Sequence, residues 1–271
     1  MDRRQFVGMT GAVALGVTAQ ARAAIPARHA RVGSASVTAW GQGGAEMLAH
    51  AMAHGCMPWA TAQDLLPDAA AELLLADPFE PGVAAAVVDA IRAARQDGRR
   101  VLAVLRRQRP GARRYGRAVA EARYLRIAAD VAVVVQGRTQ DAGVEWEGLL
   151  TPFVADAMPC LDPCDLDEAV RNGNAAAVGC GSGLRVQQAM QAAIGHPALG
   201  LSRAAAVDEV LVTISGDWGR MLLSESAEAF RSLRAAVPDA RMAFARLPGP
   251  PESGQVWVHI VAFGPAGRIV Q

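Results

Sequence analysis

The sequence contains no lysine, since all 27 basic residues are arginine. A P-loop site is therefore excluded, because it grips its nucleotide with a lysine that follows the glycines. The formal net charge of +1 favours neither nucleic acid nor acidic partners. Four cysteines in 271 residues are too few for a disulfide scaffold, although in an oxidising compartment some of them can pair: Cys56, Cys160, Cys164 and Cys180.

The first 23 residues have the three-part layout of a removable signal peptide. Arg3 and Arg4 lie in a short polar start, residues 7–19 are small and uncharged, and residues 21–23 read Ala-Arg-Ala. Paired arginines are typical of the twin-arginine export route, so we predict an exported, periplasmic protein. The alternative is a cytoplasmic N-terminus that is merely rich in arginine and alanine. No segment is apolar for long enough to form a stable membrane span.

The chain then alternates between strand and helix. Predicted strands with continuous apolar runs indicate a parallel, Rossmann-like sheet that is covered on both faces. The strands are 36–40, 72–76, 101–105 and 131–136, and the helices are 45–54, 83–96 and 116–128. We assign residues 31–144 to this domain.

A connecting helix (145–160) leads to a second, smaller two-layer α/β domain (161–266). Its predicted helices are 166–172, 183–194 and 224–237, the last capped by Ser224, and its strands are 175–180, 209–215, 241–247 and 256–263. The last two strands alternate partly with period two, which predicts a sheet with one covered face.

A glycine-rich stretch, Gly41-Gln42-Gly43-Gly44, follows the first strand and is predicted to be a loop that opens a helix. Backbone N–H groups at a helix start can receive a phosphate, although such a stretch is as often only a tight connection. The loop 77–82 has the equivalent place after the next strand. It is predicted to be a poor anion site, because Asp77 and Glu80 repel phosphate and two prolines remove N–H donors.

Four carboxylates lie between Asp162 and Glu168. The favoured interpretation is that Asp165 caps the next helix, with Glu168 completing a capping box. The alternative is that Asp162 and Asp165 polarise a water molecule.

The other candidate sites are weak. Cys160 and Cys164 have no further metal ligands nearby in sequence. His50 and His54 lie one helical turn apart, but His50 is not followed by the glutamate of the zinc-protease motif. No metal site is therefore predicted. The arginines between 92 and 126 form an anion patch or a solvated face. No aromatic ladder accompanies them, so no nucleic-acid site is predicted.

From residue 161 to residue 264 the sequence resembles the second half of FtsZ, the bacterial relative of tubulin. Leu161-Asp162-Pro163-Cys164-Asp165 is similar to the synergy loop of that family, and residues 167–173 resemble its helix ending in Asn-Gly. Residues 175–179, 210–217 and 256–264 are similar to its following strands. The resemblance implies an FtsZ/tubulin-like fold, in which the synergy loop of one subunit completes the nucleotide site of the next.

The first half departs from this family. Gly41–Gly44 stands at the first nucleotide loop, but residues 77–82 replace a run of glycines and threonines that wraps the phosphates. Residues 136–138 replace the loop that contacts the base.

These features lead to one main hypothesis and two alternatives. The main hypothesis is an exported FtsZ/tubulin-like protein without GTP hydrolysis or a cofactor, which acts by protein–protein contacts or self-association. One alternative is a divergent nucleotide hydrolase that binds GTP through Gly41–Gly44 and uses Asp162 and Asp165. The other, if the signal is not used, is a cytoplasmic protein that caps FtsZ filaments.

Overall fold

The computed structural model describes residues 27–32, 35–53, 71–106, 131–135, 159, 161–172, 175–196, 199, 207–217, 221–248 and 254–264. Nine strands in these ranges form one sheet in the order β1-β2-β3-β4-β5-β6-β9-β7-β8. The strands are β1 (Ala27–Val32), β2 (Ala35–Trp40), β3 (Ala71–Ala76), β4 (Arg100–Arg106), β5 (Val131–Val135), β6 (Ala175–Gly183), β7 (Glu209–Gly216), β8 (Arg241–Pro248) and β9 (Val256–Gly264). The helices are α1 (Gly41–Ala53), α2 (Val83–Gln96), α3 (Pro163–Asn172), α4 (Val186–Ile194) and α5 (Leu223–Ala236).

The first part of the sheet is parallel from β2 to β6. Consecutive leucines on β3 are fully buried and face opposite sides, as the strand period requires. Leu73 and Leu75 belong to the same cluster as Met47 of α1, and Leu74 packs with Ile91 of α2. The predicted parallel sheet with two covered faces is therefore confirmed. Strand β1, antiparallel to β2 at the edge, was not predicted.

The last part of the sheet is mixed. Strand β9 lies between β6 and β7 and is antiparallel to both, whereas β7 and β8 are parallel. Ile260 of β9 faces α4 and α5, and Phe263 faces the cluster that contains Leu166 of α3. The prediction of one covered face is wrong for residues 256–263, because this strand is central and packs on both faces. Strand β8 pairs, among the described residues, with β7 alone and is more exposed.

The two parts share one sheet but are joined by a short pairing. Strands β5 and β6 pair at Ala132–Ala175 and Val133–Ala176, whereas β6 and β9 pair from Ala175 to Gly183. Helix α3 contacts both parts through ion pairs, Asp167 with Arg100 of β4 and Glu168 with Arg241 of β8. The predicted α/β class, with a parallel Rossmann-like sheet followed by a smaller α/β unit, is confirmed.

One helix has its predicted boundaries, and two others begin at different residues from those predicted. Helix α2 has the predicted bounds, Val83–Gln96. Helix α4 begins three residues later than predicted, because β6 continues to Gly183. Helix α5 begins at Leu223 and its N-cap, Leu222, makes no side-chain capping hydrogen bond, so the prediction of Ser224 as the cap is wrong.

Other predictions fall outside the described residues: the signal at 1–23, the helix at 116–128, the helix at 145–160 apart from residue 159, and the loop at 136–138. Within the part of the chain that the structure describes, none of the helices has the length and apolar character to cross a membrane.

Candidate functional site

The glycine stretch lies at the carboxyl end of β2, in the first turn of α1. The predicted loop at Gly41–Gly44 is therefore wrong, because the helix begins at Gly41 itself. The neighbouring parallel strand β3 ends in register with β2, at Trp40–Ala76. The turn that follows β3, residues 77–82, is for that reason brought beside the start of α1.

A carboxylate occupies the start of α1. Glu80 Oε2 accepts a hydrogen bond from the backbone N–H of Gln42 at 2.9 Å, and its Oε1 accepts one from Gly43 at 2.5 Å. These N–H groups are the ones that the sequence predicted to receive a phosphate. A carboxylate is favoured there for the same reasons, namely unsatisfied donors and the positive end of the helix dipole.

The turn that carries Glu80 is itself fixed by hydrogen bonds. Asp77 Oδ1 accepts the N–H of Phe79 at 3.0 Å, and the carbonyl of Asp77 accepts the N–H of Glu80 at 3.1 Å. Gly82 takes a left-handed conformation, with φ of 79°, and α2 starts directly after it. The sequence predicted only that the acids of residues 77–82 repel phosphate. In the structure one of them, Glu80, also occupies the N–H groups of Gln42 and Gly43, where an anion was predicted to bind.

Two of the glycines are explained by close approach rather than by a ligand. Gly41 has φ of 72°, and a Cβ there would lie 2.5 Å from Glu80 Oε2. A Cβ on Gly44 would collide with the carbonyl oxygen of Leu75, which is backbone of β3. The glycine-rich signal in the sequence therefore reflects packing of α1 against Glu80 and β3.

The acidic loop before α3 forms a capping box. Asp162 Oδ1 accepts the N–H groups of Cys164 at 2.6 Å and Asp165 at 3.1 Å, and Asp165 Oδ2 accepts the N–H of Asp162 at 2.9 Å. The predicted box with Asp165 as the cap and Glu168 as its partner is wrong by one turn, because the helix starts at Pro163. Glu168 instead pairs with Arg241 of β8.

The carboxylates around this loop set the chemistry of its thiol. Cys164 is exposed and free. The negative charge of Asp162 raises the pKa of the Cys164 thiol above its ordinary value, with smaller contributions from Asp167 and Asp165. The thiol is therefore a weak nucleophile at neutral pH. Cys160 lies outside the described residues.

The structure also contains a buried charged group that the sequence analysis missed. Glu72 of β3 accepts hydrogen bonds from the hydroxyl of Thr38 and from Arg99, the latter at 2.8 Å. Glu72 is 4% exposed. Its position inside an apolar strand was the available signal, since a buried carboxylate needs a partner. This contact lies at the amino ends of the strands, far along β3 from Glu80, and is structural.

The described residues hold no group of three or more histidine, cysteine, aspartate or glutamate side chains suited to a metal ion. The side chain of His50 and all of His54 lie outside the described residues, as do most of the arginines predicted to form a patch. Arg92 and Arg95, on α2, are exposed, as expected of a solvated face. Arg99 and Arg100 are instead half-buried and pair with Glu72 and Asp167.

Comparison with known proteins identifies the fold. No family model matches the chain, and no curated protein matches it by sequence. Among solved structures, the FtsZ dimer of M. jannaschii in its empty form matches with a TM-score of 0.63 and 17% identity. The match covers 73% of this chain and 64% of that one, so this chain spans under two thirds of the FtsZ length.

Two CetZ structures from Haloferax volcanii also match. GDP-bound monomeric CetZ1 has a TM-score of 0.61 and 10% identity, with 74% of this chain and 66% of that chain covered. The GTPγS-bound protofilament of CetZ2 has a TM-score of 0.53 and 17% identity, with 73% and 66% covered. At these identities the likeness concerns the fold, and the chain has the FtsZ/tubulin-like fold.

Proposed function

We propose that this chain is an exported FtsZ/tubulin-like protein that does not hydrolyse GTP and acts through protein–protein contacts or self-assembly. The observation that carries the proposal is the carboxylate of Glu80 on the backbone N–H groups of Gln42 and Gly43. A nucleotide phosphate needs those donors, and a fixed negative charge beside them repels it.

Catalysis of phosphoryl transfer depends on positioning and on stabilising charge, so a site without a phosphate cradle loses most of its rate enhancement. The loop 77–82, which stands where the family wraps the phosphates, instead presents Asp77 and Glu80. The acids of the synergy-like loop, Asp162 and Asp165, are engaged in capping α3. Both sets of residues thus have structural uses that need no nucleotide.

Self-association is supported by the assemblies found among the solved structures with a similar fold. One of the similar structures is a dimer of FtsZ and another is a protofilament of CetZ2. Because this fold is found in a dimer and in a protofilament of those proteins, we propose a second copy of this chain as its partner.

The test is calorimetric titration of the mature chain with GTP, followed by measurement of phosphate release. We expect no heat of binding at micromolar protein and no turnover. Sedimentation velocity of the same samples should give one concentration-dependent size distribution that GTP leaves unchanged. Micromolar binding with turnover would overturn the proposal and favour the alternative of a divergent hydrolase that binds GTP through Gly41–Gly44 and uses Asp162 and Asp165.

Export is proposed from the sequence of residues 1–23. Cell fractionation with N-terminal sequencing tests it, and the expected mature N-terminus follows Ala23. An uncleaved cytoplasmic form would instead favour the filament-capping alternative. In that case FtsZ should pellet less in the presence of the protein, and unchanged pelleting would exclude capping.

A further inference from the structure

Glu80 is the point at which three separate segments of the chain meet. Its two carboxylate oxygens hold the first turn of α1 through Gln42 and Gly43. Its backbone carbonyl accepts the N–H of Val83 at 3.2 Å, in the first turn of α2. The turn 77–82 connects these contacts to the end of β3, so one residue ties α1, α2 and β3 together.

The carboxylate is presented by a structure that is already ordered. The turn is closed by two hydrogen bonds to Asp77, from Phe79 and from Glu80 itself. A group on such a turn loses little conformational freedom when it binds, and its tether gives it a high effective concentration. A free anion must therefore compete for these N–H groups with the Glu80 carboxylate, which is covalently tethered beside them.

The geometry around Gly41 shows that the contact is closely fitted. The φ of this residue is 72°, a conformation that favours glycine, and a Cβ added to it would lie only 2.5 Å from Glu80 Oε2 and 2.8 Å from Val83 Cγ2, so a side chain there would displace the Glu80 carboxylate. Chain separation of 37 and 38 residues makes the two hydrogen bonds tertiary rather than local.

We infer that Glu80 is an intramolecular lock: a tethered carboxylate that substitutes for a bound anion and holds the start of α1 in one arrangement without a ligand. The inference deepens and rests on the proposed function, because it names what makes this region independent of nucleotide. Its consequence is that removal of the carboxylate makes the stability of the fold depend on an added anion.

The experiment is chemical rescue of Glu80→Ala by inorganic phosphate. Thermal unfolding is followed in chloride and in millimolar phosphate at equal ionic strength. The matched control is Glu46→Ala, which removes a carboxylate from the exposed side of the same helix, where it contacts the side chain of Gln42 at 3.0 Å. We expect Glu80→Ala to melt several degrees lower in chloride and to recover in phosphate, because the ion binds the vacated N–H groups.

A second variant keeps the test decisive if Glu80→Ala does not fold. Glu80→Gln retains the shape and one carbonyl acceptor but loses the charge, so we expect a smaller loss and a partial recovery in phosphate. The backbone amide resonances of Gln42 and Gly43 should shift with phosphate in the variants and stay fixed in the wild-type chain and in Glu46→Ala.

Two outcomes would overturn the lock. One is that Glu80→Ala or Glu80→Gln has the same melting temperature in chloride as the wild-type chain. The other is phosphate raising the melting temperature of wild-type and variant chains equally. Failure of the proposed function is a separate result, since it requires GTP binding and turnover by the wild-type chain.

Discussion

The two parts of the sheet differ in how they satisfy the N–H groups at a helix start and in how they bury an ionisable side chain. Each part has a helix that starts at an acidic contact, α1 at Glu80 and α3 at Asp162. Each also buries an ionisable side chain in a strand, Glu72 in β3 and His259 in β9, at 4% and 3% exposure. The parallel part uses partners that are distant in sequence, whereas at α3 the mixed part uses residues within three positions of each other.

The buried groups also differ in charge. Glu72 is held by Arg99 and Thr38, which lie on other segments of the parallel part. His259 is flanked in the sheet by Cys180 of β6 and Thr213 of β7, neither of which is a carboxylate or a basic residue. Burial lowers the pKa of His259 to about 4. The parallel part therefore accommodates Glu72 by pairing it, whereas burial keeps His259 of the mixed part neutral. The mixed part also buries a carboxylate, Glu209 of β7, at 3% exposure.

The largest effect on stability is expected from breaking the buried ion pair between Arg99 and Glu72. Arg99→Ala leaves the Glu72 carboxylate buried with the Thr38 hydroxyl as its remaining partner, and should lower the free energy of unfolding by about 3 kcal/mol. Urea denaturation measures this change. The control is Arg92→Ala, which removes an exposed partner of Asp89 at 3.6 Å and should cost less than about 0.5 kcal/mol. Equal costs would show that Glu72 needs no charge partner.

The acid response of His259 comes next. The folded chain holds it neutral down to about pH 4, whereas the unfolded chain protonates it near its ordinary pKa of 6.5. Between about pH 4 and pH 6.5 the unfolded state thus binds more protons than the folded state. The stability contributed by the buried neutral imidazole is therefore fully present above this pH range and is lost as the pH falls through it. The loss should reach about 3 kcal/mol.

Urea denaturation of wild-type and His259→Gln chains at the two ends of that window isolates this contribution. The variant should show a smaller loss of stability on acidification, because glutamine does not titrate. An identical loss in both chains would assign the acid sensitivity to carboxylates instead.

A smaller effect is expected at the local cap. Asp162→Ala removes the acceptor for the N–H groups of Cys164 and Asp165 and should cost about 1 kcal/mol. Asp208→Ala, which removes an exposed carboxylate just before β7, serves as the control and should be near neutral. A cost at Asp162 no larger than at Asp208 would contradict the capping role.

The smallest effect is a change in reactivity. In a chain whose other cysteines are replaced by serine, Cys164 should be alkylated slowly at neutral pH, because Asp162 raises the pKa of its thiol. Asp162→Asn should lower that pKa and speed alkylation, with the pH–rate profile moving to lower pH. A profile that does not move would show that Asp162 does not control this thiol.

Much of the fold was predictable because its signals are local. The apolar run at 72–76, the helix at 83–96 and the strands at 209–215 and 241–247 all follow from periodicity and breakers within a short window. The acidic residues before α3 were correctly connected with capping, but the start of the helix was placed one turn late. Pro163 marks it, since proline is favoured at the first helical position.

The remaining features depended on contacts between distant segments. Residues 256–263 were predicted to have one exposed face, and their place between β6 and β7 could not be deduced from their own pattern. The pairing of β1 with β2 and of Arg99 with Glu72 likewise depends on strand order. Gly41–Gly44 were interpreted as a loop, since glycine is rare inside helices and the close approach of Glu80 and Leu75 is absent from the local sequence.

By itself the sequence determined the α/β alternation, the resemblance of residues 161–264 to FtsZ and the presence of carboxylates where phosphate loops would stand. It also determined that Asp162 and Asp165 lie close enough to cap a helix, since hydrogen bonds over three residues follow from spacing alone. Only the tertiary structure decided that Glu80 reaches the N–H groups of Gln42 and Gly43. That contact requires β2 and β3 to lie side by side in parallel, a relation that no window of the sequence contains.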